Sequence, residues 1–249
     1  MSAPRFFVPD LDWSRDAIVL PPDESHHLAR VLRLQLDDEL IVFDGLGRAA
    51  AAQVAVVDHR RTTVRLGDAL PPDVETPLPM VIVQAVLKGD GMDAVVRDVT
   101  MAGASRLVPV ITERSQVRPQ SLERSRTRER WTRIAIASAK QCGRARLPVI
   151  DPPISFAEWL AEPFQGVRLI LIEPGAAASP PRSLRAALQG VGAGAVGCIV
   201  GPEGGWSAGE CRSSLDAGCT PITLGPMTLR ADAAALVAAS VISFVLRET

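Results

Sequence analysis

Two short apolar runs near the end of the chain each open into a glycine loop, and they constrain the fold more than any other feature. Ala195-Val196-Gly197-Cys198-Ile199-Val200 leads into Gly201-Pro202-Glu203-Gly204-Gly205, and Pro221-Ile222-Thr223-Leu224 leads into Gly225-Pro226-Met227-Thr228-Leu229. Runs this short and this apolar read as strands covered on both faces, the pattern of a parallel sheet. Glycine lets main-chain N–H and C=O groups approach a ligand closely. Ligands of open α/β sheets sit beyond the carboxyl ends of the strands, so the candidate pocket is backbone-lined and lies in the last quarter of the chain.

Upstream, Leu70-Pro71-Pro72-Asp73-Val74-Glu75-Thr76-Pro77-Leu78-Pro79 holds four prolines in ten residues, the composition of an extended linker. It separates residues 1–72 from 73–249. The first part is β-rich, with strand-like pieces at 5–8, 39–44, 52–57 and 63–66. A helical piece over 23–34 interrupts them, with Leu28, Val31 and Leu32 at helical spacing and Arg30 and Arg33 pointing elsewhere. In the second part, a strand over 80–86, a helix over 91–102 and a strand over 107–111 make a βαβ unit. Strands follow at 168–172, 196–200 and 222–224, and an alanine-rich helix over 231–246 closes the chain, apolar enough to require burial along most of its length. The fold class is therefore α/β: a parallel-sheet domain preceded by a small β-rich one.

Ser207-Ala208-Gly209-Glu210 has the capping-box pattern, so a helix begins directly after the first glycine loop. Neither familiar nucleotide fingerprint is present, no G-x-G-x-x-G in the first βαβ unit and no Gly-Lys-Ser/Thr. Glu203 stands where a phosphate would be repelled. The ligand this predicts carries little negative charge.

The net charge of −1 hides a segregation, because residues 112–146 hold ten basic side chains and three acidic ones. That segment is either a polyanion-binding face or a solvated, arginine-rich helix surface. Arginine supplies 25 of the 27 basic residues, so clustering is the signal here and arginine content is not. Cys142, Cys198, Cys211 and Cys219 form no C-x-x-C pair and lie far from His26, His27 and His59, so neither a metal cluster nor a disulfide framework is expected. No charge-free apolar stretch of membrane-spanning length occurs, and no apolar segment follows Met1-Ser2-Ala3-Pro4-Arg5, which predicts a soluble, cytoplasmic protein.

Gly201-Pro202-Glu203-Gly204-Gly205-Trp206-Ser207, then Leu224-Gly225-Pro226 and Leu229-Arg230, closely resemble the cofactor-binding end of the SPOUT methyltransferases, whose chains form a deep trefoil knot. Gln84-Ala85-Val86-Leu87-Lys88-Gly89-Asp90-Gly91-Met92-Asp93, Glu113-Arg114-Ser115, Arg130-Trp131 and Gln141-Cys142-Gly143-Arg144 are similar to the branch that methylates N3 of a uridine in bacterial 16S ribosomal RNA. His26-His27-Leu28-Ala29-Arg30-Val31-Leu32-Arg33 resembles that branch's PUA-like RNA-binding β-barrel. The resemblance implies a homodimeric, S-adenosylmethionine-dependent enzyme acting on 16S RNA or the small ribosomal subunit. It implies cofactor contacts from Ile172, Gly201, Pro202, Gly204, Gly205, Leu224, Gly225, Met227 and Leu229. Arg230 is the candidate for stabilising charge on the uracil oxygens, and Glu203 and Asp232 are candidates for accepting the N3 proton, each with a structural role in the knot as the other reading. Phosphates would be held by Arg30, Arg33, Arg114, Arg118, Arg126, Gln141 and Arg144. Where the family commonly reads Leu-Arg-Thr-Glu-Thr, this chain reads Leu229-Arg230-Ala231-Asp232-Ala233, two hydroxyls fewer and a shorter carboxylate. That change motivates a rival reading as a non-catalytic RNA-binding assembly factor. A second rival keeps the chemistry but takes transfer RNA or a ribose 2′-hydroxyl as substrate.

Overall fold

The computed structural model describes residues 3–72, 75–117, 127–174, 181–189 and 191–248. The chain divides into two compact units, Met1–Val74 with Ile136–Leu147, and Glu75–Ala135 with Pro148–Thr249. The crossing expected at 72/73 is thus joined by two more, at 135/136 and 147/148, a return that no change of composition marks.

In the first unit, β1 (Arg5–Phe7), β2 (Ala17–Val19), β3 (Glu39–Phe43), β4 (Ala49–Val56) and β5 (Thr63–Ala69) form one sheet in the order β1-β3-β4-β5-β2. All neighbours are antiparallel except β1 and β3. Alternation places Ala50, Ala52 and Val54 of β4 against Phe6, Leu40, Val42 and Val64, while Gln53 faces outward. The helical piece differs from the one expected over 23–34. Helix α1 (Pro22–His26) passes into a π-helical turn over His27–Leu32, ended by Arg33 in the left-handed region at φ +57°. The wider turn breaks the 3.6-residue register, so Leu28 is buried while Val31 and Leu32 are 59 % and 42 % exposed. Residues 136–147 complete this unit. Gly47 N–H donates to the Ala145 carbonyl, Leu147 N–H donates to that of Gly45, and Ala139 and Ala145 pack against Phe43 and Ala49.

In the second unit, β6 (Met80–Ala85), β7 (Arg106–Ile111), β8 (Val149–Ile150), β10 (Gly166–Leu171), β11 (Ala195–Val200) and β12 (Thr220–Ile222) lie in the order β12-β10-β11-β6-β7-β8, with β9 (Ile154–Ser155) also on β7. Every pairing is parallel. The continuous apolar runs follow from burial on two sides. Met80 and Ile82 face a core shared with α2 (Gly91–Met101), α3 (Thr127–Cys142) and α7 (Ala231–Glu248), and Val81 and Val83 face one shared with α4 (Phe156–Ala161). Helices α5 (Leu184–Leu188) and α6 (Ala208–Asp216) precede β11 and β12.

The α7 helix is less enclosed than its composition suggested. Ala234, Ala235, Ala238, Ala239 and Ile242 are buried, whereas Val241 and Phe244 are 37 % and 59 % exposed. No helix among the described residues is long and apolar enough to cross a membrane.

The strand order fixes where a ligand can sit. After β6 the chain moves towards β7 on one side, and after β11 it moves towards β12 on the other. These adjacent strands therefore make a topological switch point, where the following loops diverge and leave a crevice at the carboxyl ends.

Candidate functional site

A cavity of about 710 Å³ opens at that switch point. Four strand ends supply its walls: 87–94 after β6, 171–174 from the end of β10, 200–206 from the end of β11 and 223–234 after β12.

The first glycine loop is shaped by close approaches. A Cβ on Gly201 would stand 3.1 Å from the Trp206 ring, which is held in place because its Nε1–H donates to the Leu171 carbonyl at 2.9 Å. The Gln84 amide donates to the Gly201 carbonyl at 3.4 Å, tying the loop to the end of β6. Gly205 has φ +66°, and a Cβ there would lie 3.1 Å from Glu173 Oε1. The loop ends where Ser207 caps α6. Its hydroxyl accepts from Glu210 N–H, and Glu210 Oε2 accepts from Ser207 N–H at 2.9 Å. The other oxygen of this buried carboxylate accepts from Glu113 N–H at 2.8 Å, which fastens the segment after β7 to the start of α6.

Ile172, Gly201, Pro202, Gly205, Leu224, Met227 and Leu229 line the cavity, as do Glu203, Arg230 and Asp232. Two expected wall residues do not. Gly204 is turned towards Arg114, whose Nη1–H donates to the Gly204 carbonyl at 3.0 Å. Gly225 adopts φ +138° and its carbonyl accepts from Thr223 Oγ1–H, so it shapes the second loop from outside the wall. The chain also brings Lys88, Asp90, Glu173 and Thr223 to the cavity, which the sequence reading did not single out as ligand contacts. The strand-end rule reaches Glu173, because it directly follows Ile172, the apolar residue that ends its run.

The charge pattern of the wall is specific. Asp90, Glu173, Glu203 and Asp232 outnumber Lys88 and Arg230, the cations among the described residues of the wall. Glu203 Oε1 accepts the backbone N–H of Lys88 at 3.3 Å, and Arg230 pairs with Asp232 at 3.3 Å. A backbone-lined cavity with this excess of carboxylates suits a neutral ring and a cationic group, and it opposes a polyphosphate. No group of His, Cys, Asp and Glu among the described residues is arranged to hold a metal ion. Burial pushes the Cys198 thiol up to about 12 and that of Cys219 up to about 11, which removes both as nucleophiles near neutral pH.

Of the residues expected to meet phosphate, Arg30, Arg33 and Gln141 are exposed. Arg114 is exposed but its guanidinium is engaged by Gly204, and Arg144 is buried at 8 % exposure. Arg118 and Arg126 lie outside the described residues.

Comparison with known proteins agrees with this geometry. Residues 74–243 match the model of an RNA methyltransferase domain, and residues 20–66 match that of an RNA methyltransferase PUA domain. A protein of Synechocystis sp. named ribosomal RNA small subunit methyltransferase E is 32 % identical over 229 residues, covering 92 % of this chain and 73 % of that one. A Legionella pneumophila protein solved with its bound cofactor SAM superposes with a TM-score of 0.88 at 29 % identity over 98 % of both chains. The ribosomal RNA small subunit methyltransferase E of Neisseria gonorrhoeae, bound to S-adenosyl methionine, gives 0.87 at 27 % identity, again over 98 % of both.

Proposed function

This chain belongs to the RNA methyltransferase family, and from that we infer that it is an S-adenosylmethionine-dependent enzyme that methylates N3 of a uridine in 16S RNA of the small ribosomal subunit. The observation that carries the reading is the glycine-lined, carboxylate-rich cavity at the β6/β11 switch point, in a chain that matches SAM-bound relatives over nearly its whole length. Ile172, Gly201, Pro202, Gly205, Leu224, Met227 and Leu229 would hold the cofactor through main chain and apolar contact, and Gly204 and Gly225 would keep the two loops in shape. The wall fits this ligand because adenine is neutral and the sulfonium is positive, so Glu173 and Glu203 attract it electrostatically. When bound, S-adenosylmethionine supplies an electrophilic methyl group.

The protein's own task is to orient the uracil and handle one proton. Most of the rate then comes from positioning. The Arg230 guanidinium offers two donors in one plane to charge developing on the uracil oxygens. Glu203 and Asp232, two of the four cavity carboxylates, would accept the N3 proton. Exposed Arg30, Arg33 and Gln141 serve RNA backbone, and a target base stacked in RNA is flipped out to enter.

We extend the reading to a cytoplasmic homodimer with a knotted path through its C-terminal loops. The strand order β12-β10-β11-β6 agrees with the knot, and the outward Val241 and Phe244 of α7 supply an apolar face for a second copy. The test is incubation with labelled S-adenosylmethionine and, separately, small subunits, naked 16S RNA and transfer RNA, with nucleosides identified by mass spectrometry. 3-Methyluridine in the ribosomal substrates is the expected product. A different methylated nucleoside, or none from any RNA with a folded protein, overturns the reading.

A further inference from the structure

Of 27 basic residues, two are lysines, Lys88 and Lys140. Lys140 has a packing reason. Its side chain is 18 % exposed, and its ammonium is held by both Glu24 carboxylate oxygens at 2.7 and 2.9 Å and lies 5.3 Å from the Phe6 ring. The enclosure holds the ammonium as a compact point charge. Lys88 has no such reason, since it is exposed.

Its setting points to chemistry. Lys88 lies just before α2 and Arg230 just before α7. These helices share a core, and Gly91 and Ala94 of one and Ala231, Asp232 and Ala234 of the other line the same cavity. Two helix amino ends, each with partial positive charge, therefore meet beside two cations. Asp90 is paired with Arg130 at 3.2 Å, and Asp232 lies 3.3 Å from Arg230 within the cavity. Glu203 takes the Lys88 backbone N–H. Among the described residues, the Lys88 ammonium has no ion-pair partner.

We propose that Lys88 is a catalytic residue for the base, its ammonium donating to one of the two carbonyl oxygens that flank uracil N3 while Arg230 takes the other. This rests on the uridine-N3 reading above. The N3–H bond breaks and its proton passes to a cavity carboxylate, Asp232 or Glu203. The electron pair stays on the ring, spread over N3 and both oxygens, and then forms the N–CH3 bond as the S–CH3 bond breaks with its pair left on sulfur. The carboxylate and the sulfonium lose their charges together, so the step ends neutral. Two cations across the O–N–O unit stabilise the anion where its charge is densest, and a slim ammonium leaves room for the ring beside it.

The experiment compares wild type, K88M and K88R on small subunits reconstituted around 16S RNA transcribed with uridine or with 5-fluorouridine, whose N3 is more acidic. S-adenosylhomocysteine affinity is measured in parallel by calorimetry. K88M is expected to slow 3-methyluridine formation about 100-fold at neutral pH. Its pH profile moves to higher pH, its S-adenosylhomocysteine affinity stays within about twofold of wild type, and at least about tenfold of the deficit is recovered on fluorinated RNA. K88R, which keeps the charge, is expected to fall between the two and to keep the wild-type pH profile. K88M within about threefold of wild type, a loss equal on both RNAs, or a loss matched by weaker S-adenosylhomocysteine binding overturns the assignment. Wild-type protein that makes no 3-methyluridine overturns the underlying reading and the assignment with it, an outcome distinct from an unimpaired K88M beside an active wild type.

Discussion

The glycines of the first loop are not interchangeable. Gly201 yields space to the Trp206 ring, Gly204 to Arg114, and Gly205 both adopts a left-handed conformation and faces Glu173. An alanine at 205 costs about 1–2 kcal/mol for the backbone alone, and its methyl group would press on the Glu173 carboxylate. Gly205→Ala is therefore expected to weaken S-adenosylhomocysteine binding about tenfold in calorimetry, and an unchanged affinity would show that this turn does not shape the cofactor site. The glycines were legible as a loop because the residue type itself carries the signal. Which of them reach the cavity was not legible, because that depends on how each turn is aimed. The same limit hid Lys88, whose significance emerges only when its neighbours' charges are seen to be engaged.

At the scale of elements, short-range chemistry was the readable part. The Ser207-to-Glu210 capping box, the apolar strands and the long closing helix all follow from spacing within a few residues. The π-helical turn at His27–Leu32 was not readable, since its sequence has ordinary helical periodicity. The bond from Glu113 N–H to Glu210 spans 97 positions and leaves no local trace. Removing that carboxylate tests its importance. Glu210→Ala strips an acceptor from two backbone N–H groups, Ser207 and Glu113, at a buried position. The expected loss is about 2–3 kcal/mol in urea unfolding, against about 1 kcal/mol for Ser207→Ala, which removes the hydroxyl cap while leaving both Glu210 contacts in place. Equal losses would mean that the bond to the segment after β7 adds nothing to the cap.

For the molecule as a whole, the sequence revealed two domains and a segregated charge, because composition sums over many residues and tolerates local error. It did not reveal that residues 136–147 belong with the first unit, since α3 runs unbroken from Thr127 to Cys142 across the division. Nor could a charge count separate arginines that face solvent from those that do not. Arg133 is exposed on α3, whereas Arg144, two positions past that helix, is 8 % exposed. This difference predicts opposite phenotypes for two members of the same basic cluster. RNA binding through phosphate contacts releases counterions, so affinity falls linearly with salt on logarithmic axes. Arg133→Ala is expected to reduce the magnitude of that slope by about 1 and to leave the folding stability within about 0.5 kcal/mol of wild type. Arg144→Ala is expected to leave the slope unchanged and to lower the urea midpoint, because the residue is buried. Filter binding to 16S RNA across a salt series, alongside urea unfolding, measures both. If Arg144→Ala reduced the slope and spared the fold, its guanidinium would be reaching phosphate in the bound state, and the first unit would have to open that region when RNA arrives.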